Sequence, residues 1–179
     1  MKKAVIVLFT DFEEIEAIST IDVLRRGGVK VTVASLTDEL AVTGAHGITC
    51  FADVIAIPEG DFDALIIPGG PGVLRLRGDK ALAKIIQNAY DEGKLIGAIC
   101  AAPILLHDLG ILEKHHHTCH FSMAAELKEA RTYESVVSDG NVITGCGPGA
   151  GIKFGLAILE FLNNVALVRE VAHGMMSDF

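Results

Sequence analysis

Proline is sparse in this chain, five in 179 residues, and no low-complexity tract breaks up a composition that is 50% hydrophobic with 19 glycines. That excludes an extended or disordered polypeptide and predicts one domain, residues 1–179, with a sizeable core. Basic charge is also short. Fifteen Lys and Arg stand against 23 Asp and Glu, net −8, with no basic cluster beyond Arg25–Arg26, which argues against nucleic acid as a partner. No apolar stretch reaches bilayer length, so no membrane partner is expected. The four cysteines, Cys50, Cys100, Cys119 and Cys146, contain no C-x-x-C pair, and free thiols in a cytoplasmic protein are expected rather than a disulfide framework. The opening MKKAVIVLF breaks at once into Asp11, Glu13, Glu14 and Glu16, as a buried first strand does and a secretory leader does not.

The chain alternates strand and helix patterns. Ala4–Phe9 reads as a strand, and Asp11 with Glu14 reads as an N-cap and capping box. Ile15, Ile18, Ile21 and Leu24 recur at helical spacing until Gly27–Gly28, and Lys30–Leu36 is a second strand. Residues 40–57 read as a small hairpin excursion. Ala64–Ile67 is a core strand running into Pro68-Gly69-Gly70-Pro71-Gly72. Lys80–Asp91 is a helix. Ser135–Val137 and Val142–Thr144 flank Asp139-Gly140 as a hairpin. A short helix is expected from Ser122, a core helix over Gly149–Leu162 and a terminal one over Ala166–Ala172. This pattern predicts an α/β sandwich around a mainly parallel sheet, with its site at the carboxyl ends of the strands.

The centre of the pattern is KLIGAICAAPILLHDL, residues Lys94–Leu109. Leu95–Ile99 is an apolar strand, and the helical segment Ala101–Leu109 follows with no loop between. Cys100 stands at the joint among small neighbours, an arrangement resembling a nucleophile elbow. The start of a helix favours thiolate over thiol; a buried, inert core cysteine is the competing reading. Three other features belong with it. Glu16 lies in an otherwise apolar stretch of the first helix; turned toward the sulfur, such a carboxyl would hold its proton and donate it. Gly69 and Gly70 follow a strand, where bare backbone N–H groups can form an oxyanion hole or simply a loop. The run His115-His116-His117-Thr118-Cys119-His120 offers metal ligands, but consecutive histidines diverge and no second cluster completes a site, so no metal is expected. A histidine of this run brought near Cys100 would act as acid or base. Gly145-Cys146-Gly147-Pro148-Gly149-Ala150 matches G-x-G-x-x-A, but too little chain follows to build a dinucleotide fold, so no cofactor is assigned.

Four stretches together, FTDFEEIEAISTIDVLRRGG, LIIPGGPG, AICAAPILL and GCGPGAGIKFGLAILE, make the chain resemble the ThiJ/PfpI superfamily, in the branch of the Parkinsonism-associated protein deglycase and its bacterial relatives. The resemblance implies a flavodoxin-like three-layer sandwich and a homodimer. It matches the family's reactive cysteine to Cys100, its acidic partner to Glu16, its oxyanion glycines to Gly69 and Gly70, and its nearby histidine to His120. Phe121 stands where close relatives commonly carry proline, and His46 where they often carry an arginine at the dimer side. Ala101, in place of a histidine after the nucleophile, argues against peptidase activity. His173, followed by Gly174-Met175, lacks the His-x-Glu pair of related amidotransferases. The activity so implied is cofactor-free conversion of a small aldehyde, a 2-oxoaldehyde or its early amine adduct, to a 2-hydroxy acid. Cys100 would attack, the N–H groups of Gly70 and Ala101 would hold the oxyanion, and Glu16 with His120 would move the proton. The alternative is a redox-sensing or chaperone-like protein whose Cys100 is oxidised to sulfinate without turnover.

Overall fold

The computed structural model describes residues 1–60 and 62–177. In chain order the strands are β1 (Lys3–Leu8), β2 (Lys30–Ser35), β3 (Ala41–Thr43), β4 (Thr49–Phe51), β5 (Val54–Ile55), β6 (Ala64–Ile67), β7 (Leu95–Ile99), β8 (Val136–Asp139) and β9 (Val142–Gly145). The helices are α1 (Glu14–Arg26), α2 (Val73–Leu76), α3 (Lys80–Asp91), α4 (Pro103–Asp108), α5 (Gly151–Leu162) and α6 (Val165–Gly174). Seven strands form one sheet in the order β5-β2-β1-β6-β7-β9-β8, and β3 pairs with β4 in a separate antiparallel hairpin. Every pairing in the large sheet is parallel except β8 with β9. The central strands β6 and β7 are buried at every residue. Continuous apolar runs such as ALII and LIGAI are what a strand covered on both faces requires. This is the flavodoxin-like sandwich.

Strand order explains where the site must be. From β1 the chain crosses through α1 to β2 on one side, whereas from β6 it crosses through α3 to β7 on the other. Right-handed crossovers therefore put α1 and α3 on opposite faces, leaving a crevice above the carboxyl ends of β1 and β6. Helix α1 packs on α5 at close range: a Cβ on Gly155 would stand 3.0 Å from the Val23 Cβ.

Several boundaries differ from the sequence reading. The N-cap of α1 is Glu13, whose carboxylate accepts from the Glu16 N–H at 2.8 Å. Asp11 instead adopts φ 60° and pairs with Arg75 at 2.7 Å. Helix α4 starts at Pro103 because Cys100–Ala102 form a turn. The end of the hairpin excursion returns to the large sheet as β5, on β2. Phe121–Met123 form only a single 3-10 turn. Another 3-10 turn, Pro148–Ala150, precedes α5, and α6 extends the expected terminal helix at both ends. No helix among the described residues is long and apolar enough to cross a membrane.

Candidate functional site

Cys100 follows the last residue of β7 with φ 65°, a left-handed conformation that costs a non-glycine residue roughly 1 kcal/mol or more. Two backbone hydrogen bonds hold it there. Its N–H donates to the Gly145 carbonyl at 2.8 Å, and its carbonyl accepts from the His120 N–H at 2.9 Å. The side chain is buried, with the residue 8% exposed. The backbone N–H groups of Gly70 and Ala101 lie beside the sulfur and favour its anionic form.

Glu16 comes from the first turn of α1 and is 0% exposed, not solvated on the helix surface. Its Oε2 accepts from the Gly69 N–H at 2.6 Å, its carboxyl lies beside the Cys100 side chain and interacts with it electrostatically, and its Oε1 is buried with no hydrogen-bond partner among the described residues. The glycines explain how the two side chains meet. A Cβ on Gly69 would lie 2.5 Å from the Cys100 Cβ and 2.8 Å from the Glu16 Oε2. Gly70 has φ 104°, and a Cβ there would stand 2.4 Å from the Asp11 carbonyl. Only glycine fits at either position. The Glu13 N–H to Gly69 carbonyl bond, 2.9 Å, ties the start of α1 to this loop. The Gly69 N–H is thus spent on the carboxyl, which removes it from the expected oxyanion hole and leaves Gly70 and Ala101 as the donors beside the sulfur.

Burial pushes the Glu16 carboxyl up to about 7, against the pull of the Gly69 N–H and the neighbouring Cys100 side chain. Burial, then the charge of an ionised Glu16, pushes the Cys100 thiol up to about 12, and the Gly70 and Ala101 N–H groups pull it back. Burial and the neighbouring carboxyl thus oppose the acidifying pull expected of a helix start, and the two groups are coupled as an acid–thiol pair.

The backbone of His120 reaches Cys100, while its ring is engaged elsewhere. Nδ1 lies 2.8 Å from Ser122 Oγ and accepts from the Ser122 N–H at 3.3 Å, and the ring lies 4.1 Å, centroid to centroid, from Phe121. With Nδ1 an acceptor, the neutral ring carries its proton on Nε2. The other histidines of the run diverge: His115 Nε2 meets Tyr90 Oη at 2.9 Å, and His117 Nδ1 donates to the His115 carbonyl at 3.0 Å. Burial also pushes Cys119 up to about 11. The capping box expected of Asp11 and Glu14 does not form: the Asp11 N–H donates to the Thr43 carbonyl and Glu14 is buried. Its oxygens receive the His46 N–H at 2.7 Å and His46 Nδ1 at 2.9 Å, fixing the β3–β4 loop on α1. Nothing in the spacing of the acidic run signalled that role.

An α/β sandwich with a cysteine at left-handed φ beside a buried carboxyl at the switch point defines a class of cysteine-centred sites. The profile of the DJ-1/PfpI family matches residues 2–161, and the chain belongs to that family. It is 38% identical over 182 residues to protein DJ-1alpha of Drosophila melanogaster, covering 98% of this chain and 84% of that one. It is 38% identical over 157 residues to a Caenorhabditis elegans protein named glutathione-independent glyoxalase DJR-1.2, covering 85% of this chain and 83% of the relative. The oxidised DJ-1 of Toxoplasma gondii superposes with a TM-score of 0.94 at 31% identity, over 100% of both chains.

Proposed function

We propose that this chain converts small 2-oxoaldehydes, or their early adducts with amines, to 2-hydroxy acids without a cofactor. The observation that carries the reading is the buried Glu16 carboxyl beside the Cys100 sulfur, both packed against Gly69, with the Gly70 and Ala101 N–H groups favouring the sulfur's anion. The name of the nematode relative supports the substrate class.

The thiolate adds to the aldehyde carbon, forming a C–S bond, while the Gly70 and Ala101 N–H groups receive the developing alkoxide. Glu16 protonates that oxygen and then, as carboxylate, takes the proton from the former aldehyde carbon. The neighbouring carbonyl oxygen is protonated to give an enediol, the carbon proton is returned from Glu16 to the neighbouring carbon, and the first oxygen gives up its proton, leaving a thioester; from an amine adduct the amine leaves as the sulfur bonds. Water cleaves the C–S bond and releases the 2-hydroxy acid and the thiol. One carbon is oxidised and its neighbour reduced, so no external electron carrier enters the balance. His120, protonated on Nε2, assists as a donor. Hydroxy-acid formation from methylglyoxal tests the scheme: wild type should turn over and Cys100→Ala should not, while an active Cys100→Ser protein would refute it.

A second reading, oxidation of Cys100 to sulfinate without turnover, draws on the same two N–H donors, which would hold the new oxygens. It would be favoured if peroxide adds two oxygens to Cys100 while wild type makes no hydroxy acid. The working unit in either reading is a homodimer. Ile18 and Phe51 line a common depression, and Phe51 is 78% exposed, with Ile15 and Ile48 also exposed nearby. An apolar patch of this kind is suited to burial against a second copy.

A further inference from the structure

We propose that Arg77 is a positioning residue for the Cys100 site, holding in register the three segments that carry Gly70, Ala101 and His120. Its guanidinium closes a fork on Asp108, with Nε to Oδ2 and Nη2 to Oδ1 both at 2.8 Å. The third nitrogen, Nη1, stands 2.9 Å from Glu126 Oε2. Each of the three residues ends a different path from the site. Arg77 follows α2, which leaves the glycine loop after β6, and Asp108 is the last residue of α4, which leaves the Cys100 turn. Glu126 lies in the segment that leaves His120. Hydrogen-bonded turns begin every path. The Gly70 carbonyl accepts from the Val73 N–H at 3.2 Å, and the Ala101 carbonyl accepts from the Ile104 N–H at 3.2 Å. The His120 carbonyl accepts from the Met123 N–H at 2.9 Å, and the Met123 carbonyl from the Glu126 N–H at 3.0 Å.

The three paths need such a tie. Helix α2 has four residues and α4 six, and neither carries a side-chain cap at its start; helices this short do not hold their own geometry. The segment around Glu126 contains only turns. A guanidinium fork is planar and fixes both distance and angle, as a lysine ammonium does not. The Arg77 and Asp108 side chains are each 32% exposed, so the network adds only modestly to global stability. Its consequence is local. With the fork released, α2 and α4 are free to shift against each other, and the Gly70 and Ala101 N–H groups then favour the sulfur's anion less. The inference rests on the reading of Cys100 as a thiolate held beside those two groups, and its first readout does not depend on turnover.

The test is the pH profile of Cys100 alkylation by iodoacetamide, followed at the Cys100 peptide by mass spectrometry, in the full chain carrying Arg77→Lys or Asp108→Asn. Each change should raise the midpoint by about half a unit and slow alkylation at pH 7 about threefold. Circular dichroism and the urea midpoint should stay close to wild type. The double variant should shift the profile no further than the larger single change, because the two groups act as one unit. Hydroxy-acid formation from methylglyoxal should lose at least about tenfold in kcat with KM little changed, since misplaced donors are felt in the transition state. Arg26→Ala, which breaks the exposed pair with Asp22 at 2.7 Å, should leave both readouts unchanged. A wild-type alkylation profile in both single variants, an equal shift in Arg26→Ala, or additive shifts in the double variant overturns the proposal. A wild type that makes no hydroxy acid counts against the proposed reaction instead, and alkylation still decides the role of Arg77.

Discussion

Glu16→Gln separates two descriptions of the reactive pair. With one proton between them, the groups are either a thiol beside a carboxylate or a thiolate beside a carboxylic acid. The carboxyl has one backbone donor, from Gly69, and a buried Oε1 with none. The sulfur has the Gly70 and Ala101 N–H groups beside it, both favouring its anion. Leaving an anionic oxygen buried and unpaired costs on the order of 1–3 kcal/mol. The proton therefore belongs on Glu16, and the thiolate should appear as the pair loses its first proton, near the value of about 7 given by the buried carboxyl. Gln preserves the volume and the acceptor for the Gly69 N–H but replaces the acid O–H by a weaker amide donor. A loss of roughly 1.5 kcal/mol from the thiolate is about one pH unit. The Cys100 alkylation midpoint, followed by intact mass with iodoacetamide across neutral pH, should rise by about one unit, slowing the reaction at pH 7 about tenfold. Faster alkylation of Glu16→Gln than of wild type would refute the reasoning. It would mean that Glu16 is ionised and suppresses the thiol, the arrangement in which Cys100 is held up at about 12.

The same carboxyl should mark the stability profile. The folded pair gives up its first proton only at about 7, whereas a free carboxyl does so at the ordinary 4.5, so the stabilisation is present below 4.5 and lost as pH rises through 7. That loss is on the order of 3 kcal/mol, and urea midpoints should show it in wild type and much less in Glu16→Gln. Gly70→Ala, with φ 104° and a Cβ 2.4 Å from the Asp11 carbonyl, should destabilise by about 2–4 kcal/mol or prevent folding; an unchanged denaturation midpoint would contradict the geometry. If the proposed homodimer closes on this patch, Phe51→Glu should sediment as monomer where wild type sediments as dimer in analytical ultracentrifugation, and a variant that sediments as wild type would exclude that patch as the interface.

What the sequence made legible was whatever one element decides alone. LIGAI and ALII read as buried strands because covered strands are apolar throughout, and both bounds of each were right. Lys80–Asp91 was equally plain, its helix opened by an Asp79 cap and built on one apolar face. What failed was whatever two distant segments decide together. Asp11 has the chemistry of a cap, but Arg75, 64 residues away, draws its carboxylate off, and Glu13 takes its place. Glu14 reads as the capping-box partner of Asp11 until the hairpin loop folds over it and takes its carboxylate. Gly69 and Gly70 look equivalent as a pair, yet one N–H serves the acid and the other the sulfur.

The position of Cys100 follows from topology and strain acting together. The crevice lies above β1 and β6, whereas the cysteine arrives on β7, one strand away. A residue continuing the extended strand would keep its side chain on the pleat of β7. The left-handed turn carries the sulfur to the loop after β6 and to the acid from α1, and the Gly145 carbonyl and His120 N–H offset its cost. The segment ending at His120 is thus part of the support for the nucleophile through its backbone, whichever role its ring takes. Replacing His120 by Ala leaves that N–H in place. It should therefore keep the thiol alkylation profile of wild type while any loss of turnover reports the ring alone, and a shifted profile would show that the ring also positions the sulfur.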